Sequence, residues 1–386
     1  MKNITRLVSS VAVMAICAVQ VIAGGVKFTN EAGDYVKLGG RIQLQYHMQD
    51  PDKGNTTDEL RFRRFRPYIE GSINEDWKGK FQFDLGKSDL ALKDAYFKYS
   101  GLDGISISLG NMNFPFSREF LTSSKKQQLV ERTFVGDHNY GTPDRQTGIH
   151  LNGKLLDKKV VLNASAGKAA IDPSNKKLDF DTVIQFDKGD DWIEGNIIGG
   201  RVELFPNGYF KPSQGDFKRD LKTAVALGAF SWQNDDDHVN MTEDEDTGVK
   251  SISDSDVDSV TGVEISAALR IAGFSLDAQY NMFDSDLING ASGTDGLYKN
   301  GKTTLENYAV EGGYMVIPSK LEIVAGYQSQ DADGYATAWN RTSIGANIFV
   351  DKHNIKYQAA YRMGENKDGV KDNDLNELFV QAQYVF

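Results

Sequence analysis

Cysteine is all but missing: the chain has one, Cys17, and it falls in an N-terminal stretch that reads as an export leader. From Met1 to Ala23, Lys2 and Arg6 precede an apolar run from Leu7 to Ala23, with Val21 and Ala23 ahead of Gly24. That pattern predicts a signal peptide over residues 1–23 and a mature chain over 24–386. A membrane anchor fits less well, because Ser9, Ser10 and Gln20 interrupt the run. A mature chain without cysteine has no disulfide, thiol metal site or thiol nucleophile. Long apolar runs are missing too. No stretch after residue 23 reaches the roughly 18 apolar residues of a spanning helix, which excludes a helical membrane protein.

Basic charge is also in deficit. Without Lys2 and Arg6, 41 bases face 54 acids, a net of −13, and nucleic acid is excluded as a partner. Between Gln233 and Val260 ten acids accompany one base, Lys250. Asp254, Asp256 and Asp258 alternate there without the glycine and distal glutamate of a calcium loop, so a solvated outer loop is expected. His47, His138, His150, His238 and His353 are scattered, with no pair at metal-ligand spacing, and no metal or other cofactor is expected. Nothing marks Ser106, Ser108 and His150 as a triad, and no glycine-rich phosphate loop joins a strand to a helix. The chain is not expected to be an enzyme.

What is abundant is glycine, 38 residues, and aromatics, with 16 Tyr and 21 Phe, set in segments that alternate polar and apolar residues. Leu378, Val380, Ala382, Tyr384 and Phe386 share one face of a strand, with Glu377, Gln381 and Gln383 on the other. Ile344 to Val350 and Phe274 to Met282 repeat the pattern, and sixteen such segments run from Val36 to the C-terminus. A further stretch, Phe180 to Asp187, is assigned to a loop, because a barrel that starts and ends on one side of a membrane needs an even number of strands.

A soluble sandwich alternates as well. Three features favour a transmembrane antiparallel β-barrel of sixteen strands. The outward faces carry almost no charge, Lys93 excepted. The opposite faces are too polar for a dry core. Short connections (Asn74 to Asp76, Gly101 to Gly104, Val316 to Lys320, Asp351 to Asn354) alternate with long ones (Asn113 to Arg145, Gln233 to Val260, Asp284 to Leu305). Trp77, Trp192, Trp232 and Trp339 lie near strand ends, where interfacial girdles are expected. Backbone pairing in lipid requires the sheet to close, and at about sixteen strands the interior is water-filled.

The stretch FQFDLGKSDLALKDAYFKY from Phe81 to Tyr99, followed by SLGNMNFPFSREFLTSSKKQQLVERT from Ser108 to Thr133, resembles the phosphate-selective porin O and P family. In that family a strand pair precedes a Pro-Phe-Ser loop ending in a Glu-Arg pair, here Glu131 and Arg132. SIGANIFVDKHNIKYQAAYR from Ser343 to Arg362 looks like the family's C-terminal strands, and Phe386 is similar to the ending of bacterial outer-membrane barrels. The resemblance implies a trimeric porin in the bacterial outer membrane, a third long loop folded into the lumen as a constriction, and basic side chains guiding anions.

A pore needs a constriction and a field rather than a nucleophile. The expected constriction, Asn113 to Arg145, offers Arg118, Lys125, Lys126, Arg132 and Arg145 as anion guides. Opposite parity to the apolar positions puts Arg41, Arg64, Arg66, Lys80, Lys98, Arg201 and Arg362 on the lumen wall. Arg61, Arg63, Arg64 and Arg66 form the densest basic run, and guanidinium suits phosphate through paired hydrogen bonds. These arginines could instead brace Glu70, Asp84 or Asp94, and a bulge near Phe62 would turn over the side chains beyond it. The expected function is passive diffusion of small hydrophilic solutes, with preference for phosphate or a similar anion. The alternative is a barrel anchor or surface-binding protein acting through its acidic outer loop. Membrane lipid and lipopolysaccharide are the expected surroundings.

Overall fold

The structure is a computed structural model that describes residues 18–22, 25–86, 90–172, 174, 176–184, 192–235, 241–243, 250–252, 256–288 and 296–386. Among these residues one antiparallel sheet of twenty-one segments dominates. Two pairs of segments fuse across kinks, and three are accessory (Ala18–Ile22, Gly25–Thr29 and Asp179–Asp181), which leaves sixteen staves. They are β1 (Tyr35–Gly39 with Arg41–Pro51), β2 (Thr57–Phe65 with Tyr68–Ile73), β3 (Trp77–Asp84), β4 (Ala91–Leu102), β5 (Ile105–Asn113), β6 (Arg145–Leu155), β7 (Val160–Asp172) and β8 (Ile193–Leu204). The second half comprises β9 (Lys222–Asn234), β10 (Val257–Ile271), β11 (Phe274–Leu287), β12 (Lys302–Ile317), β13 (Leu321–Asp331), β14 (Trp339–Asp351), β15 (Ile355–Glu365) and β16 (Leu375–Val385). Each coincides with one alternating segment of the sequence. β16 pairs with β1 from Leu375↔Pro51 to Val385↔Arg41, closing the barrel.

Of the expected leader only Ala18–Ile22 is described, as a ladder with Gly25–Thr29, and that segment pairs in turn with the start of β1. Asp179–Asp181 adds a three-residue edge to β7 and is no stave, which agrees with its assignment to a loop. Most of the acidic run between Asp235 and Asp258 lies outside the described residues.

The outer wall is apolar because period-two alternation turns Leu227, Ile265, Leu276, Val310, Ile323, Ile344 and Val380 outward. Ring pairs mark its edges, among them Phe274 with Tyr314 (4.6 Å) and Tyr308 with Tyr327 (5.9 Å).

Two expectations need correction. Trp77 is 42% exposed on the wall, but Trp232 and Trp339 are buried inside, at 0% and 3%. Trp232 donates from Nε1 to the Ala169 carbonyl (3.0 Å), and Trp339 packs on Phe134 and Tyr140. Nor is the interior uniformly wet. Phe114, Phe116, Phe180, Phe230, Trp232 and Phe283 belong to an apolar cluster within the barrel. Inward positions at the long-connection end of β9 and β11 carry rings rather than polar groups, and the loop after β5 brings its own phenylalanines to cover them.

Two bulges set which charges face inward. Gln43 pairs with Arg64 while Leu44 pairs with Phe62, so Arg63 is an extra residue in β2. Gln82 pairs with Asp94 and Phe83 with Leu92, which makes Lys93 the extra residue in β4. An unpaired extra residue lets two consecutive side chains share a face. Arg63 and Arg64 therefore both point into the lumen, and Lys93, a charge that strict alternation would put in lipid, reaches Asp144 (3.7 Å) instead.

Candidate functional site

After β5 the chain turns inward. Phe114 and Phe116 are fully buried and seat against Gly199 and Gly228, positions where a side chain would collide with or crowd the rings. Ser117 caps a short helix, Arg118–Leu121, its Oγ accepting from the Phe120 N–H (3.1 Å). Glu264 of β10 accepts from the N–H groups of Ser117 (2.7 Å) and Arg118 (2.9 Å).

Further along, the carbonyls of Lys125, Lys126, Gln127 and Gln128 each accept a donor from the barrel. These are Gln383 Nε2 (3.0 Å), Gln214 N (2.9 Å), Lys356 Nζ (2.8 Å) and Asn347 Nδ2 (3.0 Å), respectively. Close approach needs bare backbone on the wall. A Cβ at Gly313 would run into the Gln128 amide, and one at Gly326 would crowd Leu129. The loop crosses the lumen and packs against the staves of the second half.

A cavity of ≈ 820 Å³ remains on the other side, between this loop and β1 to β6. Its lining holds nine bases and eight acids, so counting decides little and pairing decides more. Arg63 Nε and Arg64 Nη2 share Glu131 (2.8 and 3.5 Å), Arg66 holds Asp84 (2.5 Å), and Lys80 (2.5 Å) and Arg145 (2.8 Å) share Asp94. Arg41, Lys125 and Arg132 have no carboxylate within 4.0 Å among the described residues. Arg41 donates to Ser123 Oγ (3.0 Å), and Arg132 to the carbonyls of Phe120 (3.1 Å) and Thr122 (3.2 Å).

In the loop, burial and then the Arg41 and Lys126 charges push the Lys125 ammonium down to about 8. Burial works to raise Glu131, but Arg63 and Arg64 hold it well below the usual carboxylate range. Burial likewise opposes the charged form of His138, yet Asp179, 2.6 Å from Nδ1, lifts it to about 9.

Of the residues expected from sequence, Lys125, Arg132, Arg145, Arg41, Arg64, Arg66 and Lys80 line the cavity. Lys126, Lys98, Arg201, Arg362 and Arg118 do not. Arg118 is 3% exposed and bound to Glu203 and to Asp277 (3.0 Å), so it ties the loop to β8 and β11. Arg201 is bound to Glu203 (2.8 Å) and Glu264 (3.2 Å), and Arg362 to Glu377 (3.5 Å). Sequence reasoning had no place in the site for Arg63, Lys93 or His138. The first two carried a signal, a charge at the parity of the apolar wall.

Residues 36–186 match the model of the phosphate-selective porin O and P family. The match covers β1 to β7 and the inward loop, where the resemblance in sequence is strongest, and stops short of the C-terminal strands. No curated protein is matched by the chain. Solved structures agree on the fold. The anion-selective porin from Comamonas acidovorans superposes with a TM-score of 0.62 at 12% identity, over 92% of this chain and all of that one (100%). The outer membrane channel DcaP of Acinetobacter baumannii gives 0.57 at 16% identity over 95% and 100%. OmpT of Vibrio cholerae in its trimer form gives 0.55 at 15% identity over 91% and 99%. The chain has the fold of the outer-membrane porins.

Proposed function

We propose that this chain is a bacterial outer-membrane porin through which small hydrophilic solutes diffuse, with a preference for anions, phosphate among them. The observation that carries the preference is the trio Arg41, Lys125 and Arg132, cations on the cavity wall that no carboxylate neutralises within 4.0 Å among the described residues. Paired arginines cancel most of their field at a distance, whereas an uncompensated cation between low-dielectric walls keeps its own. An anion entering the cavity finds hydrogen-bond donors whose places are held by neutral hydroxyls and carbonyls, which it displaces without separating an ion pair.

The protein is a channel rather than an enzyme. Export by the 1–23 leader, contact of the apolar wall with lipid and lipopolysaccharide, and assembly as a homotrimer complete the reading. The trimer form of OmpT supports the last. Planar-bilayer recording tests it. Wild-type protein in a salt gradient is expected to give a stable conductance whose reversal potential lies toward the anion. The Lys125→Glu, Lys126→Glu double variant should shift that potential toward the cation. A wild-type reversal potential on the cation side would overturn the anion preference.

A further inference from the structure

The connections at the short-turn end of the barrel are tight, with one exception. β8 and β9 are joined by residues 205–221, and this segment, too, folds into the lumen. Phe205 is 1% exposed, and its ring packs against Tyr209 (5.0 Å) and Phe210 (5.6 Å). The Phe210 ring faces the guanidiniums of Arg118 (5.3 Å) and Arg270 (5.8 Å). Phe217 sits edge-on to Phe349 (4.9 Å) and His353 (5.0 Å). Gly215, at φ +78°, makes the bend between these two anchors.

At the apex is Gln214, buried and saturated with hydrogen bonds. Its N–H donates to the Lys126 carbonyl (2.9 Å), and its Oε1 accepts from the Gln128 N–H (2.6 Å). Its Nε2 donates to Glu311 of β12 (2.7 Å), and its carbonyl accepts from His353 Nε2 (2.9 Å). Two connections entering from opposite ends of the barrel thus meet and bond to each other inside it. Two of the four polar groups of Gln214 go to the constriction loop on either side of Gln127, immediately after Lys125.

We propose that the 205–221 connection is a second constriction element and that Gln214 is a positioning residue for the channel's ion selectivity. It holds the Lys125–Gln128 backbone so that Lys125 faces the cavity. The connection fills the part of the lumen opposite β1 to β6 from the short-turn end, as the loop after β5 does from the other. This inference rests on the channel reading above.

Two variants and one chemical modification test it, each first shown to form a folded barrel by heat-modifiable migration in gels. Replacing residues 206–220 by a four-residue turn should raise single-channel conductance at least twofold and lower the anion-to-cation permeability ratio at least twofold. Gln214→Leu, which removes the side-chain bonds to Gln128 and Glu311 while keeping the connection, should lower the ratio with a smaller change in conductance. A merely structural role would lower the melting temperature of the folded form and leave the ratio alone.

Should the shortened variant fail to fold, the readout is Lys211→Cys in a chain whose mature part has no other cysteine. Its reaction with a bulky methanethiosulfonate should reduce conductance, while the same reaction at Lys218→Cys should not. Wild-type conductance and reversal potential in the shortened variant, or full conductance after labelling at 211, would overturn the inference. Absence of any conductance from wild-type protein would instead overturn the channel reading itself.

Discussion

Lys125 combines three circumstances that make its charge adjustable. It is partly buried, it faces the Arg41 and Lys126 charges with Lys80 and Lys37 beyond them, and among the described residues no carboxylate comes within ion-pair distance. Like charges and desolvation both favour the neutral amine, which is why the group titrates near 8. Protonated at pH 7, it loses its charge as pH rises through that value. Anion selectivity should therefore fall between pH 7 and pH 9, and Lys125→Arg should abolish the fall, because guanidinium stays charged. A reversal potential flat across this range in the wild type would show that Lys125 is not in the conduction path. Arg118 has the opposite character. Its partners Glu203 and Asp277 lie 85 and 159 residues away in sequence, too remote for spacing to reveal, so a basic residue in a constriction loop reads as an anion guide when it is an anchor. Arg118→Met removes one of the two cations on each carboxylate, Glu203 keeping Arg201 (2.8 Å) and Asp277 keeping Arg270 (2.6 Å), a loss below the roughly 3–5 kcal/mol of a buried pair broken outright. The folded form should melt at lower temperature by heat-modifiable gel migration, with anion selectivity retained in whatever barrels form.

At the scale of elements, the two bulges do more for the site than any single strand. Alternation alone seats one arginine of each neighbouring pair, and the extra residues bring Arg63 and Lys93 to the wet side without disturbing the apolar wall. This makes a deletion experiment informative. Removing Arg63 restores regular pairing and keeps Phe62 and Phe65 outward, so the barrel should still fold, with Glu131 left to Arg64. Removing Ile344, where β14 pairs regularly, turns one part of the strand over and should abolish folding. Equal yields of heat-modifiable barrel from both deletions would refute the register. The staves themselves were legible because a strand between lipid and water needs nothing beyond its own two-residue period. The bulges were legible only in part: the sequence admits one near Phe62, and it falls at Arg63, but it shows the one at Lys93 as nothing more than a misplaced charge, since a single extra residue changes no composition. The inward course of the 205–221 connection was illegible for a different reason: its anchors, Glu311 of β12 and His353 of the turn between β14 and β15, lie far along the chain.

Across the whole molecule, the interior is divided between a packed half and an open cavity, and tryptophans report on the division. Trp77 lies on the lipid side, whereas Trp232 and Trp339 lie inside. Fluorescence from a variant keeping only Trp77 should be quenched by brominated acyl chains, and fluorescence from variants keeping only Trp232 or Trp339 should not. Quenching of all three would return them to the outer girdle that sequence position alone suggested. The seam has a consequence of another kind. Gly40 and Phe386 exchange backbone hydrogen bonds beside the β1–β16 ladder, so the first stave waits for the sixteenth and the residue after it before its edge is satisfied. Until then the growing sheet carries two open borders that would template pairing with any other extended chain. Assembly therefore has to be guarded from the first hairpin to the last, and a truncation of β16 would leave the barrel with no way to finish however sound its other fifteen staves.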